Sequence, residues 1–193
     1  MKLEHDWLDQ DLPANVVLDE HVYLHSAYAF LHYRSTRPVG VRLGAHTAAY
    51  DTTMFDLGPS GVVEVGRYGL LNGPHFITDS RIVIGDYVYL SYEVYLADEP
   101  APVSPTDPRY IRPRSRDAVE PSIVIGDDCW IGLRSVVLGG TRLGDGVIVG
   151  AGSVVRGIVA PYTVVAGNPA VPVGTVRPGE GPRTGSKPFR TRP

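Results

Sequence analysis

Apolar residues recur every six positions along most of this chain, and many are followed by glycine: Leu43-Gly44, Val65-Gly66, Ile84-Gly85, Ile125-Gly126, Ile131-Gly132, Leu143-Gly144 and Val149-Gly150. Between these pairs, Leu71, Ile77, Leu90, Leu96, Val137 and Val155 keep step. A period of six is neither helical nor the simple alternation of a strand, but it holds one short strand plus a corner. Within Ile125-Gly126-Asp127-Asp128-Cys129-Trp130, the first and fifth residues are expected to point inward and Trp130 outward. The glycine in second place is expected to serve the corner by taking positive φ without steric cost. Three hexads make an 18-residue turn, and Ile125 to Leu143 is that interval with nothing inserted. Such regularity predicts a repeat solenoid in which each turn buries its apolar face against the next.

The same rhythm divides the chain. Residues 1–17 read as an N-terminal cap, residues 18–173 as the solenoid and residues 174–193 as a tail of Pro, Gly and basic residues. Successive coils start near Leu18, Leu43, Val65, Ile84, Ile125 and Leu143, and a partial seventh ends in Asn168-Pro169-Ala170. The first coil is irregular, and the largest break in the rhythm, between Asp98 and Ser122, is an excursion rich in Pro, Arg and Asp. Six coils at strand spacing give a prism roughly 29 Å tall.

Composition sharpens this picture in a few places. The 22 Gly and 17 Pro suit frequent corners rather than helices. A formal net charge of −3 offers no general attraction to nucleic acid or anionic membranes. The start, Met1-Lys2-Leu3-Glu4-His5-Asp6, lacks the apolar run of a signal peptide, no stretch is apolar enough to span a membrane, and Cys129 has no cysteine partner. The expectation is a cytoplasmic protein. Tyr87, Tyr89, Tyr92 and Tyr95 crowd one coil, and outward aromatics on flat faces predict self-association.

Four strings carry a family resemblance: Ile84-Gly85-Asp86, Ile125 to Gly132, Val149-Gly150-Ala151-Gly152-Ser153-Val154-Val155, and Val165-Ala166-Gly167-Asn168-Pro169-Ala170. With them the chain resembles the hexapeptide-repeat acyltransferases, which include the maltose, galactoside and xenobiotic acetyltransferases. The resemblance implies an all-β, left-handed parallel β-helix. It also implies a homotrimer with active sites between neighbouring prisms, and acyl-CoA (acetyl-CoA or another) lying along the later coils. The 98–122 excursion sits where the family's projecting loop belongs. The implied reaction is O- or N-acyl transfer to a small hydroxylated or amino-bearing acceptor, with no nucleic-acid or membrane partner.

One departure matters for the chemistry. The family loop opens with a histidine that acts as general base, whereas here the string is Leu96-Ala97-Asp98-Glu99-Pro100 and the loop contains no histidine. Thioester attack needs a proton acceptor with a pKa near the working pH, so a glutamate serves only if burial raises it. The base candidates are therefore Glu99, Asp98 and His75, the last lying one coil before the loop coil. Tyr92, Glu93 and Tyr95 are candidates for the acceptor side. Gly132, Ala151, Gly152 and Arg156 are candidates for the CoA side, with Arg177 and the basic tail as further cations. The histidines show no spacing that favours zinc, and no metal is expected. The competing reading is a non-catalytic or repurposed member, a scaffold or an enzyme of other chemistry, because the loop histidine is absent.

Overall fold

A computed structural model describes residues 1–50, 52–98 and 122–176. The chain winds into a three-faced parallel β-helix. Each full coil contributes one strand to each face, as in Arg81–Ile84, Tyr89–Leu90 and Tyr95–Ala97. The first face is a seven-stranded sheet, the second eight-stranded and the third five-stranded. In the first coil the third-face strand is replaced by a single 3-10 turn, Ala27–Phe30, capped by the Ser26 side chain. The first strand begins at Val16, so the opening segment joins the sheet shortly before Leu18. At the other end the chain reverses after Gly167, and Ala170–Thr175 pairs antiparallel with Thr163–Gly167.

The six-residue rhythm maps onto straight inward columns. On the first face these are Leu18, Leu43, Val65, Ile84, Ile125, Leu143 and Val159, each in register with the next. On the second they are Leu24, Ala49, Leu71, Leu90, Ile131, Val149 and Val165. The third face runs Phe55, Phe76, Leu96, Val137, Val155, so Phe76 points inward where Ile77 was expected, the longer third coil having shifted the phase by one residue. Phe30 of the 3-10 turn stacks on Phe55 at 5.1 Å, and Phe55 on Phe76 at 5.0 Å with the rings 5° from parallel. Burying a strand column of this kind removes apolar surface from water at about 25 cal/mol per Å².

The reason for the glycines differs from the expectation. Gly44, Gly66, Gly85 and Gly126 do not have positive φ. The left-handed conformation falls instead on later corner residues: His46, Tyr68, Tyr87 and Asp128. What requires the glycine is the neighbouring coil, since a Cβ on Gly66 would lie 2.6 Å from the Gly85 carbonyl carbon. Stacking at strand spacing leaves no room for a side chain there. The following aspartates also have a structural role. Oδ1 of Asp86, Asp127 and Asp145 accepts the backbone N–H of Arg67, Asp86 and Asp127 respectively, at 2.7, 2.7 and 2.9 Å. The Arg67 guanidinium bound to Asp86 lowers that carboxyl's pKa and offsets the repulsion of stacked charges. Cys129 is buried and its thiol is pushed up to about 11 by desolvation, so it is no nucleophile at neutral pH.

The three outer faces differ in polarity. The first is studded with ion pairs, Arg42 with Asp19 at 2.8 Å and Arg81 with Glu64 at 2.6 Å. The second presents Tyr23, Leu70 and Trp130 to solvent, with Trp130 49% exposed. The third turns His75, Tyr95, Val136 and Val154 outward in one column, and Ile77, Ala97 and Leu138 in the next. Two apolar faces therefore meet along one edge of the prism.

Candidate active site

The edge between the second and third faces carries Tyr92 and Glu93 in the fourth coil, Leu133 and Arg134 in the fifth, and Ala151 and Gly152 in the sixth. Glu93, Arg134 and Gly152 all take positive φ, at 54°, 57° and 68°, which turns the corner at equivalent places. That equivalence puts the Arg134 guanidinium against Glu93, with Nε donating to Oε2 at 2.5 Å. The bond and the charge of Arg134 hold the Glu93 carboxyl below its ordinary range. Tyr92 is 59% exposed beside this pair.

His75 lies on the third face next to that edge. It begins the strand His75–Thr78, and its Cα is in register with Tyr95 one coil on. The two rings are 4.8 Å apart at 35°. Burial lowers the imidazole pKa, partly opposed by the negative charge of Glu93. The ring is therefore neutral at physiological pH and able to accept a proton. Because the folded pKa lies below the unfolded one, the unfolded state binds more protons in the interval between them. Stability is accordingly expected to be lost as pH falls below about 6.5 through the lowered folded value. Replacing His75 with Gln should flatten that part of the stability profile in urea titrations. Superimposable profiles for the two proteins would show that burial does not hold the ring neutral.

The loop root is at the far end of the same face. Asp98 leaves the strand Tyr95–Ala97 and is only 8% exposed. Its Oδ2 accepts from the Thr78 hydroxyl, which itself accepts the Ser80 N–H at 2.9 Å. Ser122 Oγ lies 3.0 Å from the same carboxylate oxygen, and Ser122 N–H donates to the Arg81 carbonyl at 2.7 Å. Asp98 and Ser122 are the two ends of the excursion, so one buried carboxylate ties its neck. Arg142 reaches this neck as well, its Nη1 donating to the Ser122 carbonyl at 3.1 Å.

The structure thus separates the sequence candidates into two groups along the third face. His75, Tyr95, Tyr92 and Glu93 gather at one end. Asp98 stands at the other, three strand positions from His75 in register, or roughly 10 Å. Glu99, the loop arginines, Arg177 and the basic tail lie outside the described residues. Among the CoA-side candidates, Gly132 has a structural explanation, since a Cβ there would lie 2.7 Å from the Ala151 nitrogen. Gly152 is different, for a Cβ would meet nothing within 4 Å and the backbone there is open to a ligand. Ala151 and Arg156 are exposed. Sequence reasoning missed Arg134, Thr78 and Ser122. Arg134 was detectable by aligning coils once the excursion is removed, since it then falls at the Glu93 position.

Comparison with known proteins gives a consistent picture. Residues 122–157 match the family model described as bacterial transferase hexapeptide (six repeats). An Escherichia coli protein bearing the name lipopolysaccharide biosynthesis O-acetyl transferase is 36% identical over 100 residues, 50% of this chain and 51% of that protein. A chloramphenicol acetyltransferase of Agrobacterium fabrum is 45% identical over 47 residues, 24% of this chain and 22% of its own length. The matched part thus spans about half of the first relative or less. Among solved structures, AntD of Bacillus cereus, an N-acyltransferase crystallised with dTDP and Coenzyme A, superposes with a TM-score of 0.59. It is 17% identical, and the match covers 86% of this chain and 80% of AntD. The fold is the left-handed β-helix of the hexapeptide-repeat acetyltransferases.

Proposed function

We propose that this hexapeptide-repeat β-helix transfers an acyl group, acetyl in the simplest case, from acyl-CoA to a hydroxyl or amine of a small acceptor. The cleft would form where the apolar second and third faces meet those of neighbouring copies in a trimer. One observation carries the reading: a neutral, half-buried imidazole, His75, stands on the apolar third face that leads to the pinned neck of the excursion. The relatives named as acetyltransferases support the same reaction class.

Acyl-CoA supplies a thioester carbonyl as electrophile. The residues present suit it, because Ala151 and Gly152 leave the edge open for a slender chain and Arg156 offers an exposed cation for phosphate. His75 takes the proton of the acceptor as the nucleophile attacks the carbonyl carbon. Backbone N–H groups hold the oxyanion, and collapse of the tetrahedral adduct expels the thiolate. Tyr92, Tyr95 and the Glu93–Arg134 pair would bind the acceptor. Asp98 is a positioning residue that sets where the loop, including Glu99, leaves the prism.

The test is acceptor-dependent release of CoA thiol from acetyl-CoA, run beside light scattering. The reading predicts a trimer, CoA binding by calorimetry, and thiol release with at least one sugar or amine acceptor. A monomer, or no CoA binding at about 1 mM, would overturn it. CoA binding without turnover across a broad acceptor set would favour the scaffold reading prompted by the missing loop histidine.

A further inference from the structure

Glu93 stands between two groups that compete for its charge. Gly73, Glu93 and Arg134 turn equivalent corners in the third, fourth and fifth coils, with φ of 69°, 54° and 57°. Coils stack at about 5 Å, so Glu93 has one neighbour coil on either side. Towards the third coil, the His75 N–H donates to the Val94 carbonyl at 2.8 Å. Towards the fifth, the Arg134 N–H donates to the Tyr92 carbonyl at 2.9 Å. The backbone thus brings an imidazole and a guanidinium to opposite flanks of one carboxylate. Gly73 is a glycine at this corner, so the corner itself puts no side chain between Glu93 and the coil of His75.

Arg134 holds the carboxylate, through the bond from Nε to Oε2 at 2.5 Å. Both side chains of this pair are more than half exposed, and ion pairs so exposed add little to stability. Their effect is felt elsewhere. Arg134 acts on the charge of Glu93, and Glu93 acts on His75, opposing the effect of burial on the ring. The strands packed against His75–Thr78 are Met54–Leu57 and Tyr95–Ala97. Tyr95 of the second stacks on the imidazole, and Asp56 of the first lies two residues along and pairs with Arg34 at 3.7 Å. Asp98, beyond the second, is bound by Thr78 and Ser122, and Asp51 lies outside the described residues. All of these stay unchanged in the variants below, so none of them can produce shifts of opposite sign.

We propose that Arg134 is a positioning residue for His75, drawing the Glu93 carboxylate to the far side of its coil so that the imidazole keeps its lone pair for the acceptor. The inference rests on the reading of His75 as the base. Without the guanidinium, Glu93 would turn its whole charge on the ring and favour the imidazolium.

The test is a titration of the His75 Cε1–H signal by NMR, without acyl-CoA or acceptor, the signal being assigned by its loss in His75→Gln. The other five histidines all precede residue 47 and report whether the fold is intact. Arg134→Gln should move the His75 midpoint to higher pH by several tenths of a unit, and Glu93→Gln should move it to lower pH. The double variant should fall between the two, and Arg134→Lys, which keeps the charge, should restore the parent's midpoint. A purely structural role would not give opposite signs. Shifts of the same sign, or a midpoint that stays at the parent's in either single variant, would overturn the proposal. The low-pH limb of kcat/KM for thiol release from acetyl-CoA should move with the NMR midpoint in Arg134→Gln. A stationary limb beside a moved midpoint would overturn the reading of His75 as the base, while leaving the charge coupling in place.

Discussion

Replacing Phe55 with alanine is expected to destabilise the β-helix by about 3–5 kcal/mol. Phe55 is fully buried and sandwiched between Phe30 and Phe76 at 5.1 and 5.0 Å. Its removal would leave a ring-sized void between two rigid faces, and the backbone ladders on either side prevent the neighbouring coils from closing it. The first coil would suffer most, because its 3-10 turn has no third-face strand and docks largely through Phe30. Urea unfolding followed by circular dichroism measures the loss, with Ile158→Ser at an 87% exposed site as a control expected within about 0.5 kcal/mol of the parent. A loss below about 1 kcal/mol for Phe55→Ala would mean that the aromatic stack does not anchor the first coil.

The largest effect on activity is expected at His75. If the imidazole takes the acceptor proton, His75→Gln should lower kcat/KM by about 10²–10⁴. Its lowered pKa makes the sign of the pH dependence definite: the rate should rise with pH through a value below about 6.5 and then level off. Glutamine keeps the size and hydrogen-bonding capacity of the side chain, so folding and CoA affinity should be little changed. Glu99→Gln is the matching control for the loop carboxylate, and it should cost less than tenfold. Full activity in His75→Gln with a collapse in Glu99→Gln would move the base into the loop.

The fold was readable because it repeats. Once Leu43, Val65 and Ile84 are seen to recur before glycine, register follows on the first two faces, whereas on the third Phe76 takes the inward place expected of Ile77. The meaning of the glycines was not readable. Positive φ and a crowded neighbour both favour glycine, and only the 2.6 Å approach of the next coil shows which applies at Gly66. The candidate site was legible in part. His75 and Tyr95 are 20 residues apart, two more than three hexads, so their register and stacking came from the structure rather than from the period. Glu93 and Arg134 are 41 residues apart across the excursion, and a count that includes the excursion puts them out of phase.

By itself, the sequence determined the solenoid: its three faces, the inward columns of the first two and the position of its one large interruption. These features depend on a short period that each coil restates, so local pattern suffices. Only the tertiary structure decided which side chains meet at the edges. Asp98 takes Thr78 from the coil before and Ser122 from beyond the loop, and Trp7 is carried to Tyr28 by an N-terminal segment outside the repeat. Such meetings arise where the period is broken, and there chain closure and stacking, rather than repetition, set the distances.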